Sequence, residues 1–252
     1  MCRLYARVGT PRTLLEQVVG TPHSLEVQSY KPKMMDEALM NADGFGLAWY
    51  NGQDPEPARY RSVLPMWSDE NFRGFGGQVR SSHLLAYVRS ATPGIGAGLS
   101  NTQPFVHSNI AFMHNGYLNG FRGGVMRRVQ QQLGDEAFAL IRGSSDSEHM
   151  FALFMDAHLA GASIKDALHA SVAGAERALE GERALLVLMV SDGERVHALR
   201  TGLNGAKTPT LFSREEPGGG CFASEPLDDD DWLPVGDGGY ATIDAQGVTR
   251  SP

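Results

Sequence analysis

The order of elements in this 252-residue chain predicts an α+β fold in which β-sheets pack face to face with helices on the outside. Three observations predict it. Short strands separated by turn signals fill the first 114 or so residues, a pair of amphipathic helices follows, and further short strands close the chain. With 42% hydrophobic and 20% charged residues, the chain can bury a large core, and it shows no repeat, low-complexity tract or long linker. The expectation is therefore a single domain over residues 1–252.

The first strand starts at the chain end, where Cys2, Leu4, Ala6 and Val8 alternate with bulkier or charged residues, the period of a half-buried strand. Thr10-Pro11 reads as a cap followed by proline at the first helical position. Leu14, Leu15, Val18 and Val19 then give a helical face over 11–19 that stops at Gly20. Residues 45–50 and 59–64 read as strands flanking the Asn51-Gly52 turn signal and a proline-containing loop. Ser68 is expected to cap a short helix carrying Phe72, Phe75 and Val79. Next come a strand over 83–88, a glycine-rich loop near 93–103 and a strand over 110–114.

In the second half, Met150, Phe151, Phe154, Met155 and Leu159 line one side of a helix over 146–160, and Ser163-x-x-Asp166 opens another that runs to about Leu179. The apolar run 184–190, the Asp192-Gly193 turn and residues 195–200 form a hairpin, with further strands near 209–213, 220–224 and 240–243. Asp228 to Asp231 reads as a solvated loop rather than a metal site, because no distal ligand accompanies it.

Composition narrows the chemistry. A net charge of −7 argues against a nucleic-acid partner. No apolar run approaches the ~18 residues of a membrane helix. The polar start, broken by Pro11, lacks the apolar core of a secretory leader. Two cysteines cannot build a disulfide framework, so a cytoplasmic setting with reduced thiols is expected. The histidines are scattered without metal-binding spacing, and no strand-linked Gly-x-Gly-x-x-Gly is present; no metal and no cofactor are expected. A small-molecule partner is the expectation, and a homo-oligomer is left open.

Five segments could carry chemistry. Cys2 would, on loss of Met1, carry a thiol and an α-amine whose ordinary pKa values, near 8.5 and 8, allow the amine to take the thiol's proton. Alone, it reads equally well as a buried inert strand cysteine. Asn41-Ala42-Asp43-Gly44-Phe45-Gly46, where two glycines flank an aromatic just before a strand, reads by itself as a tight strand-entry turn. Arg89, in Val88-Arg89-Ser90-Ala91-Thr92, ends a strand and leads towards Asn101-Thr102-Gln103-Pro104-Phe105; it could fork onto a carboxylate or join a surface ion pair. In His114-Asn115-Gly116, the Asn115 amide and Gly116 N–H could serve a developing oxyanion, or form a plain Asn-Gly turn. Asp146, in Ser145-Asp146-Ser147-Glu148, could pair with an ammonium or cap its helix.

In this order the five segments resemble the class II glutamine amidotransferases, which are N-terminal nucleophile hydrolases, over about residues 1–155. The resemblance implies a four-layer α-β-β-α sandwich, with Cys2 as nucleophile and its own amine as base. It further implies Asn115 and Gly116 as the oxyanion hole, and Arg89 and Asp146 as grips on the α-carboxylate and α-ammonium of a glutamyl group. Gln103 departs from the Asn-x-His-Pro segment of many members. The segments 41–46, Phe222-Ala223-Ser224-Glu225-Pro226-Leu227, Pro22-His23-Ser24-Leu25 and Gln28-Ser29 are similar to the ergothioneine-biosynthesis branch, which implies hydrolysis of the γ-glutamyl amide of hercynylcysteine sulfoxide. A glutaminase subunit feeding ammonia to a synthase, and an inactive sensor of γ-glutamyl metabolites, are the competing readings.

Overall fold

The computed structural model describes residues 1–35, 40–91, 96 and 98–251. Among these, thirteen strands form two antiparallel sheets. The first has seven: β1 (Arg3–Thr13), β2 (Phe45–Tyr50), β3 (Ala58–Ser62), β4 (Arg80–Val88), β9 (Phe212–Glu216), β10 (Gly219–Ala223) and β11 (Leu233–Pro234), in the order β11-β9-β10-β1-β4-β2-β3. The second has six: β5 (Phe105–His107), β6 (Ile110–Leu118), β7 (Ala184–Ser191), β8 (Val196–Leu203), β12 (Tyr240–Asp244) and β13 (Gly247–Ser251), in the order β13-β12-β8-β7-β6-β5.

The alternation of the strands sorts side chains into layers. Leu4, Ala6 and Val8 of β1 join Leu85 and Tyr87 of β4, Met113 of β6, Val187 and Met189 of β7 and Phe222 of β10 in the core between the sheets. Tyr5, Phe45, Leu47, Leu84 and Cys221 point the other way, against α1 (Leu14–Val19), α2 (Leu25–Tyr30) and α3 (Glu70–Gly76). On the far side of the second sheet, Phe112, Leu186 and Leu188 pack on α4 (Val125–Gln130), α6 (Asp146–Leu159) and α7 (Ile164–Leu179), with α5 (Asp135–Phe138) beside α6. This is the four-layer α-β-β-α sandwich. Burial is two-sided at β1, where even Arg3 and Arg7 are fully buried, so the half-buried expectation is corrected for this strand.

Several local expectations change for physical reasons. The first helix starts at Leu14 instead of residue 11, because β1 continues past a bulge between Val8 and Arg12, and the capping box is formed by Thr13 and Glu16 instead of Thr10. Thr13 Oγ1 accepts from Glu16 N while the Glu16 carboxylate accepts from Thr13 N, which satisfies two otherwise orphaned donors. Asp69, one residue beyond Ser68, caps α3 by accepting from Phe72 N; Ser68 ends a short 3-10 turn. The strand expected at 110–114 runs to Leu118, carrying Asn115-Gly116 inside β6. The strand expected at 209–213 starts at Phe212. Ser163 and Asp192-Gly193 behave as expected. Thr92 and part of the glycine-rich loop, residues 93–95 and 97, lie outside the described residues.

Polar contacts tie the sheets together at the end remote from the start of β1. Tyr50 Oη lies 2.8 Å from Asn109 O and 3.1 Å from Ser191 O, and Ser191 Oγ lies 2.7 Å from His83 Nε2. Burial drives the His83 pKa down to about 4, so its ring is neutral at pH 7. An unfolded histidine binds its proton near pH 6.5. Between these values the unfolded chain takes up a proton that the fold excludes, so His83's contribution is flat above about pH 6.5 and stability falls as pH drops towards 4. Urea unfolding at pH 7 and pH 4.5 should show His83→Gln losing less stability over that interval than the wild type, and an equal loss would reject the assignment.

Candidate active site

Cys2 precedes the first residue of β1, a strand held on both sides by β4 and β10. Its Sγ is half-buried, 3.1 Å from Tyr87 Oη, 3.4 Å from the Ser90 N–H nitrogen and 3.5 Å from Ser90 O. With Met1 in place the Cys2 nitrogen is a peptide nitrogen; removing Met1 turns it into a free amine on the same residue as the thiol. The other cysteine, Cys221, is fully buried, and burial beside Glu216 pushes its thiol up to about 12.

The glycine-containing segment before β2 positions Arg89. Asp43 N donates to Arg89 O, Arg89 N donates to Gly44 O, and the Asp43 carboxylate accepts from Ala91 N at 2.7 Å. Gly44 has φ 116°, and a Cβ there would lie 2.5 Å from Ser62 O, so this turn requires glycine. The Arg89 side chain is 3% exposed. Its Nη2 reaches Gly96 O at 3.4 Å, while Nη1 has no hydrogen-bond partner among the described residues. Gly96 O also accepts from Asn101 Nδ2, whose Oδ1 accepts from Ser144 N, so the Arg89 neighbourhood is linked to the loop before α6.

On β6, Asn115 is fully buried, and neither its Nδ2 nor its Oδ1 has a partner among the described residues. A buried amide with both ends unsatisfied costs on the order of 1–3 kcal/mol per group. Gly116 has φ 149°, and a Cβ would fall 1.7 Å from Leu185 O and 2.8 Å from His114 Nε2. Only glycine fits. Gln103 braces this strand by pairing its side-chain amide with His114 main chain: Nε2 donates to His114 O at 2.9 Å and Oε1 accepts from His114 N at 2.5 Å. Burial lowers the His114 pKa; the neutral ring donates Nε2–H to Leu185 O and accepts at Nδ1 from Ser147 Oγ at 3.0 Å.

Asp146 is the first residue of α6, and Ser145 is the cap, its Oγ accepting from Glu148 N. The Asp146 carboxylate is 5% exposed, accepting from Leu118 N at 3.0 Å and Ser147 N at 2.8 Å, which pins the helix start to the end of β6. Each oxygen keeps a further lone pair.

Behind Cys2 lies a buried network that reading the sequence missed. Arg3 pairs with Glu225 at 3.0 Å and donates from Nη1 to Cys2 O at 3.1 Å. Glu225 also meets His23 Nε2 at 2.7 Å and accepts from the main-chain N–H groups of Lys33 and Met34. Gln28 Nε2 donates to both His23 O and Glu225 O, and Leu4 N donates to Ser224 Oγ. The 22–25, 28–29 and 222–227 segments meet here. Their convergence has no periodic signal; the resemblance grouped the three segments without saying that they meet.

The chain belongs to the class II glutamine amidotransferases, whose family model matches residues 17–231. It is 32% identical over 250 residues, 99% of this chain and 95% of the other, to the gamma-glutamyl-hercynylcysteine sulfoxide hydrolase of Mycobacterium tuberculosis. To the protein of the same name from Mycolicibacterium smegmatis it is 34% identical, over 91% of this chain and 89% of that one. Among solved structures, a glutamine aminotransferase class-II domain protein from Silicibacter pomeroyi superposes with a TM-score of 0.76 at 29% identity, covering 99% of this chain and 98% of that one. The glutamine phosphoribosylpyrophosphate amidotransferase of B. subtilis shares the fold alone, with a TM-score of 0.67 at 17% identity over 49% of its length.

Removing one member of the buried network leaves an uncompensated charge. Glu225→Ala should therefore destabilise the fold by about 3–5 kcal/mol. Denaturant unfolding measures it, and a change below about 1 kcal/mol would show that the network does not hold the chain end.

Proposed function

We propose that this protein is a free-standing, cysteine-dependent hydrolase of γ-glutamyl amides that releases glutamate, with γ-glutamyl-hercynylcysteine sulfoxide of ergothioneine biosynthesis as its substrate. The observation that carries the site assignment is the buried Asn115 amide with no partner at either end among the described residues, on the strand braced through Gln103. The 32–34% identity to the two mycobacterial hydrolases, extending through the 222–227 segment, supports the substrate. We place all 252 residues in one domain in the cytoplasm. Among the described residues no helix is long and apolar enough to cross a membrane.

The mechanism follows from the groups present. After Met1 is removed, the Cys2 amine takes the thiol proton and the sulfur attacks the γ-carbonyl carbon. The developing oxyanion is met by Asn115 Nδ2–H and Gly116 N–H. Collapse expels the amine, which takes the proton from the ammonium, and leaves a γ-glutamyl thioester. Water, deprotonated by the same amine, then adds to the thioester and frees glutamate. Arg89 Nη1, buried and without a partner among the described residues, receives the α-carboxylate, and the remaining lone pairs of Asp146 receive the α-ammonium. Holding both charges fixes the amide over the sulfur.

Cys2→Ala is expected to keep the fold and abolish hydrolysis, and a diazo-ketone glutamine analogue should add one acyl-sized adduct at Cys2. Labelling at Cys221, or activity in Cys2→Ala, would overturn the nucleophile. Arg89→Met and Asp146→Asn should each cost about 2–5 kcal/mol in transition-state binding, as truncating one side of a desolvated charge pair does. For Asp146→Asn the loss should vanish on substrates lacking the α-ammonium. The substrate itself is decided by kcat/KM of the protein without any partner: γ-glutamyl-hercynylcysteine sulfoxide should far exceed glutamine, because contacts to the leaving amine help orient the scissile bond. Preference for glutamine, or activity only with a second protein, would favour the ammonia-supplying alternative.

A further inference from the structure

One hydroxyl beside the sulfur has no part in the mechanism above. Tyr87, on β4, is 2% exposed and places its Oη 3.1 Å from Cys2 Sγ. The Gln103 side chain acts on the same hydroxyl as a hydrogen-bond donor would, favouring its negative form. The donor inventory agrees with that direction. Gln103 Oε1 is taken by His114 N, and Gln103 Nε2 spends one hydrogen on His114 O, leaving its second hydrogen for Tyr87 Oη. With its oxygen accepting from Gln103, Tyr87 has its own hydrogen free to point at the sulfur.

We propose that Tyr87 is a catalytic residue that donates a hydrogen bond to the Cys2 thiolate, and that Gln103 is the positioning residue that holds the Tyr87 hydroxyl in the donating orientation. The inference rests on Cys2 being the nucleophile. In the thiol form, S–H can donate to Ser90 O; once the proton leaves, the sulfur accepts from Ser90 N–H and from Tyr87 O–H. No proton is transferred from Tyr87. Burial and the adjacent cysteine raise the phenol well above its ordinary range, which keeps it a donor throughout turnover. Gln103 thus couples two parts of the site with one side chain: its amide fixes the His114 main chain beside Asn115 and aims the hydroxyl at the nucleophile.

The charged and titratable surroundings are few. Just before β1 lies the Cys2 amine once Met1 is gone; just beyond β4, Arg89 acts favourably on a negative Tyr87. The Arg3 guanidinium is occupied by Glu225 and Cys2 O, and from β6 the nearby His114 ring is engaged by Ser147 and Leu185.

The test is the pH dependence of Cys2 alkylation by iodoacetamide, in protein whose intact mass confirms loss of Met1. A hydrogen bond to a charged acceptor is about twice as strong as a neutral one. Tyr87→Phe should therefore move the alkylation midpoint up by about one pH unit and slow the reaction at pH 7 about tenfold, with kcat reduced by a similar factor and KM unchanged. A fluorotyrosine at position 87, a stronger donor of nearly the same shape, should move the midpoint the other way. If alkylation occurs at Cys2 and neither replacement moves the midpoint, the role of Tyr87 is overturned while the nucleophile stands. If the wild type is not alkylated at Cys2, the nucleophile reading itself fails. A lowered melting temperature with an unmoved midpoint would make Tyr87 merely structural and also overturn the proposal.

Discussion

A chain terminus ordinarily frays, but this fold holds its second residue against Tyr87 and Ser90 at the end of β4. The Arg3–Glu225 pair supplies the restraint. Arg3 lies next to Cys2, is fully buried, and donates to the Cys2 carbonyl while Glu225 binds its guanidinium. Glu225 in turn collects His23 and the Lys33 and Met34 main-chain groups, so three separated segments must be in place before the terminus is fixed. Such a pair adds little net stability, because desolvation offsets much of the attraction. Its contribution is positional. With β4 and β10 on either side, the strand is clamped along its edges by the sheets and at its tip by the ion pair.

The rest of the site divides into groups that are satisfied and groups that are not. Gln103, His114, Ser147, Asp43 and the Asp146 main-chain bonds are paired, and each holds a neighbour in one orientation. Both ends of the Asn115 amide and Arg89 Nη1 are left without partners among the described residues while fully or almost fully buried. Holding such atoms dry costs stability.

Sequence made the architecture legible because sheets and helices announce themselves by period. The strand before the Asn51-Gly52 turn, the apolar run at 184–190 before Asp192-Gly193, and the Ser163 start of α7 needed no tertiary information. The misplaced boundaries were local competitions: Thr13 with Glu16 over Thr10-Pro11, and Asp69 over Ser68, where a neighbouring side chain makes the better cap. Asn115-Gly116 was ambiguous between turn and site, and only the close approach of Leu185 O shows why glycine is required in mid-strand. The Arg3–Glu225–His23 network and the Tyr87–Gln103 contact were invisible for a common reason: each joins residues distant in sequence, and no spacing rule constrains such a pair.

The two cysteines show how completely neighbours decide the fate of a thiol. Cys221 sits opposite Arg7 on the strand adjoining β1, so the two residues share a sheet. Its side chain faces the helical layer, deeply buried with the Glu216 carboxylate beside it, and both burial and that negative charge oppose a thiolate. Cys2 faces the other way, towards the inter-sheet core, where Ser90 N–H and Tyr87 Oη approach the sulfur and a free amine would stand on the same residue once Met1 is lost. An acceptor-lined, dry environment stores a thiol as an inert packing group, whereas a donor-lined one beside a base makes it reactive. The sheet supplies both surroundings from adjacent strands, because alternation sends one sulfur to the outer layer and the other to the seam between sheets.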